Sequence, residues 1–246
     1  MVNTAVQLYS LRGIDASLPD VLDLVGETPV DGVEFATRIR ADDTDLEAVA
    51  DALERNDLVP VAAHVELPAL KDDFDEVTSR YARLGCETLV VPWLEPDRFE
   101  SKATVADAAA RLETVAADLA ADGFELQYHN HDQEFVSLGD GTGLDELLAR
   151  TADVGLEVDL GWARAAGADP VAVVDAYADR ISHAHVADVD VETGTCVELG
   201  DGDLDLERAL EATRRADVEW VVYEHDDPAD PRESLVRGTE RLDALC

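Results

Sequence analysis

Residues 124–135, F-E-L-Q-Y-H-N-H-D-Q-E-F, decide how this chain is read. Successive strand side chains point to opposite faces, so Phe124, Leu126 and Tyr128 share one face and Glu125, Gln127 and His129 the other. A strand covered on both sides is normally apolar throughout. Here one face grows more polar toward its C-terminal end, where His129, His131, Asp132 and Glu134 arrive together. Alone, the stretch reads equally well as a histidine-rich loop on an acidic surface. Three later segments end the same way, and that repetition tips the balance.

Outward from it, a short β-like run, a polar loop and a helical pattern recur eight times. The remaining strands are expected at residues 5–8, 32–35, 59–64, 88–91, 155–159, 181–186 and 220–224. The helices between them show apolar residues at i, i+3, i+4 and i+7, as in Leu18, Val21, Leu22 and Val25. Their starts are marked by Ser17, by a capping box of Thr44 and Glu47, and by Asp169-Pro170 and Asp230-Pro231, with Glu233 closing a second box. The longest helix spans about residues 101–122, and Gly85 and Gly143 punctuate others. Strands alternating with helices demand a parallel sheet, and eight units in 246 residues fit one closed (β/α)8 TIM barrel over residues 1–246. A doubly wound open sheet is the rival. Its glycine-rich first turn has no counterpart in S-L-R-G-I-D, and no linker divides the chain.

The charge is extreme: 56 acidic residues against 19 basic ones give a formal net charge of −37, with Lys71 and Lys102 the only lysines. Such self-repulsion destabilises a compact state unless screened, and molar salt shortens the Debye length to ~3 Å. The composition therefore points to a salt-rich, halophilic cytoplasm, with stability that rises as KCl is added. It argues against nucleic acid, which needs a basic footprint. Cys86, Cys196 and Cys246 are odd in number and widely spaced, as ordinary thiols in a reducing compartment are. No segment approaches ~18 consecutive apolar residues, so a soluble cytoplasmic protein without a membrane partner is expected.

In a barrel the active site lies at the C-terminal ends of the strands. His129, Asp159, His185 and Glu224 fall there on the last four strands in succession. Parity turns Leu156 and Val158 to the helices and Asp159 inward. Ile181, His183 and His185 share a face, as do Trp220, Val222 and Glu224. Two imidazoles and two carboxylates make a mixed N/O site for one divalent ion, and Mn, Co, Zn and Mg all suit it. Taken singly, Asp159 could instead cap a loop, His185 line the barrel and Glu224 pair with an arginine.

The order of these residues resembles the sugar phosphate isomerase/epimerase family of xylose-isomerase-like barrels, which includes inosose dehydratases and is distantly related to endonuclease IV. The similarity rests on Q-L-Y-S-L-R (7–12), G-V-E (32–34), Y-H-N-H-D-Q-E-F (128–135), D-L-G-W (159–162), H-V-A-D (185–188), G-D-G-D (200–203) and Y-E-H-D (223–226). It implies a metal held by the last four strands with a sugar or polyol bound to it. Where the best-understood members carry glutamates on both the fifth and eighth strands, this chain has His129 on the fifth. Where the family often has lysine in H-x-K-D, it has Ala187, so a cation for a phosphate or carboxylate is missing there.

The resemblance implies a keto-sugar, sugar phosphate or polyol whose C–H is acidified by the metal and removed by a base, giving isomerisation, epimerisation or, with loss of a β-hydroxyl, dehydration. Glu224 is the first choice of base. Glu134, Glu34, His64 and His131 compete for the complementary acid, although Glu34 and His64 would serve equally as barrel lining. Trp93 and Trp162 offer apolar faces to a sugar ring or pack their loops. His64 and Asp188 are further substrate contacts. An inosose-type dehydratase fits the same residues, and so does a non-catalytic sugar-binding barrel. The partner is a small molecule, and the chain acts singly or as a homo-oligomer.

Overall fold

The computed structural model describes residues 2–36 and 44–246. Its barrel strands are β1 (Asn3–Gln7), β2 (Gly32–Phe35), β3 (Val59–His64), β4 (Thr88–Val91), β5 (Glu125–His129), β6 (Val154–Asp159), β7 (Ile181–Val186) and β10 (Trp220–Tyr223). All neighbours are parallel, and they close in the order β1-β10-β7-β6-β5-β4-β3-β2. A small antiparallel pair, β8 (Asp188–Asp190) and β9 (Thr195–Val197), stands in the loop after β7. The expected single (β/α)8 barrel is therefore the observed fold.

The helices are α1 (Leu18–Val25), α2 (Leu46–Arg55), α3 (Leu67–Asp72), α4 (Phe74–Leu84), α5 (Lys102–Ala121), α6 (Gly143–Leu148), α7 (Leu160–Ala165), α8 (Pro170–Tyr177), α9 (Leu206–Arg215) and α10 (Pro231–Asp243). The short α3 and α7 were not foreseen from periodicity, since one or two turns carry too few apolar positions to register. Ser17 caps α1 by accepting the N–H of Asp20. At α2 the expected Thr44–Glu47 box gives way to Asp45, whose carboxylate accepts the N–H groups of Glu47 and Ala48, both at 3.1 Å. A charged cap one residue closer meets both the orphan donors and the positive end of the helix dipole. Gly85 ends α4 at φ 74°, a left-handed conformation that suits glycine.

Strand ends differ from the sequence reading by a residue or two. Leu8 leaves the first strand for a 3-10 turn, Leu8–Leu11, because the Gln7 side chain accepts the Tyr9 N–H at 3.0 Å and starts the turn early. Glu224 lies just beyond β10.

Two apolar regions result. A large shell between strands and helices includes Val33, Phe35, Leu89, Leu126, Tyr128, Leu156, Val158 and Val221. A small cluster inside the lumen consists of Ala5, Val61, Ala62, Val90, Trp220 and Val222. Trp220 plugs the floor, and Gly32 leaves it room. A Cβ at Gly32 would lie 2.6 Å from Val61 Cγ1 and 3.3 Å from the Trp220 ring. Above this floor the lumen turns polar.

Candidate metal centre at the barrel mouth

The four residues singled out on the last strands converge. His129, Asp159, His185 and Glu224 each present one donor atom within 4.8 Å of the others, and all four are buried. His185 Nδ1 lies 2.8 Å from Glu224 Oε2. Asp159 Oδ1 accepts the Trp162 N–H at 2.6 Å, capping α7, while Oδ2 is buried without a hydrogen-bond partner. Burial pushes the Asp159 carboxyl well above the usual range. A buried carboxylate oxygen with nothing to meet it is expensive, and a cation at this point would remove the penalty. The donor set thus fits a divalent ion, with the mixed N/O chemistry that such ions accept.

Neighbouring side chains fix the donors. The Asn130 amide spans two strand ends, with Oδ1 accepting the Asp159 N–H at 3.1 Å and Nδ2 donating to the Asp159 carbonyl at 3.3 Å. On its far side, His185 Nε2 meets Glu34 Oε2 at 2.5 Å and Glu157 Oε1 at 3.1 Å. A carboxylate behind a ligating imidazole sets its tautomer and raises its basicity. His64 Nε2 completes this lower tier, 2.8 Å from Glu157 Oε1 and 3.3 Å from Glu34 Oε1. Its ring is stacked on His185 with centroids 5.4 Å apart.

Charges in this tier hold one another. Burial opposes a positive His64, but Glu34 and Glu157 outweigh it and raise its pKa to about 10. The same contest, with Glu157, Glu34 and Glu224 as partners, leaves His185 well above its ordinary value. Glu34 is held well below the carboxylate range, its burial overcome by His64 and His185. His129 is driven the other way by burial and by His185 and His64, and it stays neutral.

The mouth above is a cavity of about 660 Å³ whose walls include Arg12, His64, Trp93, His131, Glu224 and Asp226. His131 stands 4.7 Å from the Trp93 ring and 5.6 Å from Trp162. Burial, reinforced by His129, lowers the His131 pKa to about 3, so its ring is neutral at ordinary pH. Burial raises Asp226 to about 7, with Glu224 adding to the effect.

Three expected site residues lie elsewhere. Glu134 is fully buried beneath the β5 loop, where it takes the Tyr128 hydroxyl and accepts the His131 N–H at 2.7 Å. Burial raises its pKa to about 7, against the Tyr128 bond that lowers it. Asp188 is also fully buried, and it accepts four backbone N–H groups, from Val189, Gly200, Gly202 and Leu204, at 2.9 to 3.0 Å. It is therefore the staple of the 188–205 loop rather than a substrate contact. Glu34 sits under His185, away from the cavity wall. Ala187 is buried against Gly161, where a glycine Cβ would fall 3.2 Å from the alanine methyl, and it supplies no cation.

Sequence reasoning missed Glu157, Asn130, Arg12 and Asp226. Glu157 shares parity with Asp159, and that signal was available. Arg12 and Asp226 stand at the ends of quoted motifs. For Asn130, which bonds to backbone of the next strand, there was no signal.

A profile of the family described as xylose isomerase-like TIM barrel matches residues 22–245. Over 149 residues the chain is 28% identical to inosose dehydratase of Lacticaseibacillus casei, an alignment covering 50% of this chain and 48% of that enzyme. The matched stretch thus spans about half the length of these curated relatives. A sugar phosphate isomerase/epimerase from Parabacteroides distasonis superposes with TM-score 0.81 at 20% identity, over 99% of this chain and 94% of that one. A probable 3-DHS dehydratase from Bacillus anthracis gives TM-score 0.81 at 13% identity, with 98% of each chain covered. At these identities the structural likeness speaks for the fold.

Proposed function

The chain belongs to the xylose isomerase-like TIM barrel family, and we propose that it is a divalent-metal-dependent isomerase or epimerase of a keto-sugar, sugar phosphate or polyol. The observation that carries this reading is the convergence of four buried donors from consecutive strands, one of them with an unpartnered carboxylate oxygen. Such a centre suits Mn, Co, Zn or Mg.

When bound, the ion supplies a Lewis acid for a carbonyl and its neighbouring hydroxyl, which acidifies the C–H between them. The remaining work belongs to the chain. Glu224 is the base. In the metal-free chain His185, at 2.8 Å, counters its burial and holds its carboxyl below the usual range. On the other side of the cavity, His64 is pinned between Glu34 and Glu157 and is the group placed to return a proton. His131, neutral between Trp93 and Trp162, orients hydroxyls without adding charge. Glu34 acts through His185 as a positioning residue. Glu134 acts through the His131 loop in the same way.

Loss of a β-hydroxyl from the same carbanion would make the enzyme a dehydratase, and the inosose dehydratase similarity favours keeping that reading beside the first. Dialysis against EDTA should remove about one ion per chain and stop exchange of substrate C–H hydrogen with D2O, and re-addition should restore it. Full exchange by metal-free protein would overturn the proposal.

A further inference from the structure

A second cleft adjoins the mouth. It has a volume of about 520 Å³ and shares Glu66, Pro92 and Trp93 with the mouth cavity, so the two lie side by side with these residues lining both. Each part lies within the ~300–1,000 Å³ expected of a small-molecule site. The mouth alone is therefore large enough for the reacting sugar, and the annex is additional space.

The annex is less acidic than the chain as a whole. Across the chain, acidic residues outnumber basic ones 56 to 19. Here Lys71, Arg98 and Arg111 face Glu66, Asp72 and Glu95, a balanced set of donors and acceptors. Lys71, one of only two lysines, has no ion-pair partner among the described residues. Arg98 and Arg111 share Asp107 at 3.3 and 2.9 Å, which holds their guanidinium groups in place with donors to spare. Trp93 is 41% exposed, an unusual state for a large aromatic.

Carboxylates beside the cations, many donors and acceptors, and an aromatic edge together match an uncharged polyhydroxylated ring better than an anion. Hydroxyl groups can use both signs of partner, whereas a phosphate or carboxylate would meet three carboxylates. We propose that the annex is a subsite for a second sugar ring, so that the natural ligand is a glycosylated keto-sugar rather than a free monosaccharide. This rests on the mouth being a sugar site, as argued above.

Calorimetry on the Mn-loaded protein can decide it, with D-fructose compared with four glucosyl-fructoses: sucrose, turanose, maltulose and isomaltulose. At least one of the four should bind on the order of tenfold more tightly than fructose, the size of one or two added polar contacts. In a Lys71→Ala/Arg98→Ala variant that preference should vanish while fructose affinity and metal content stay unchanged. The variant should fold, since exposed ion pairs such as Arg98–Asp107 contribute little. If none of the four outbinds fructose, or if the variant weakens fructose and disaccharide alike, the subsite is overturned. Metal content measured on the same samples keeps this outcome separate from the metal reading. A chain that holds no ion yet prefers a disaccharide would sink the metal centre and sustain the annex.

Discussion

The floor and the mouth of the lumen belong to one closed barrel and differ in almost everything else. At the floor, Ala5, Val61, Ala62, Val90, Trp220 and Val222 pack as an apolar plug. At the mouth, β2, β3, β5, β6 and β7 present Glu34, His64, His129, Glu157, Asp159 and His185, all but His64 buried. Ionisable groups at this density oppose folding unless something compensates each of them. The contrast assigns stability to the floor and, on the proposed function, chemistry to the mouth, and it can be broken from either side.

The largest effect should come from the mouth. Glu224→Gln keeps shape and burial but removes the proposed base, and it should lower turnover by about two to four orders of magnitude. A loss of less than about threefold, read in a steady-state or hydrogen-exchange assay, would remove Glu224 from the chemistry. At the floor, Trp220→Ala should cost about 3–5 kcal/mol of stability in a denaturant titration, while metal stoichiometry stays as in the wild type. Loss of metal without loss of stability would invert the assignment of roles.

Between these extremes lies Glu34→Gln, which removes the carboxylate behind His185. It should weaken metal binding by roughly 10- to 100-fold with the ligands untouched, measurable by competition with a chelator. An unchanged affinity would make Glu34 mere lining.

The smallest effect is the most diagnostic in sign. Asp159 has a folded-state pKa above its unfolded value, so the folded chain holds that proton more tightly. Its protonated form favours folding at low pH, and that advantage is lost as pH rises through the folded pKa. Metal-free Asp159→Asn, which can still cap α7, should therefore melt higher than metal-free wild type at neutral pH. The same variant should gain less stability on adding metal. A lower melting temperature for the metal-free variant would contradict the reading of Asp159 as an uncompensated buried carboxylate.

Much of this was legible in the residues and the rest was not, for identifiable reasons. Period-two alternation and helix spacing show eight units, and strand-end parity brings His129, Asp159, His185 and Glu224 to one place. Parity says which face a side chain takes but not how far along the neighbouring strand it sits. Register shifts at Val33/Glu34 and Leu156/Glu157 set that offset, and they place Glu34 and Glu157 beneath His185. Loop carboxylates are harder still. Asp188 and Glu134 look like site residues in sequence because they flank the proposed ligand positions, yet the oxygens of Asp188 are taken up by backbone N–H groups of its own loop and those of Glu134 by the Tyr128 hydroxyl and the His131 N–H. The annex was invisible because Lys71, Arg98 and Arg111 lie on separate elements that only the closed barrel brings together.

One measurement bears on the whole account: an anomalous difference map from crystals grown with Mn or Zn, recorded at that ion's absorption edge. The account predicts a single strong peak at the mouth, about 2.0–2.3 Å from donor atoms of His129, Asp159, His185 and Glu224. A flat map at that point, or a peak held by other side chains while these four stay apart, would contradict it.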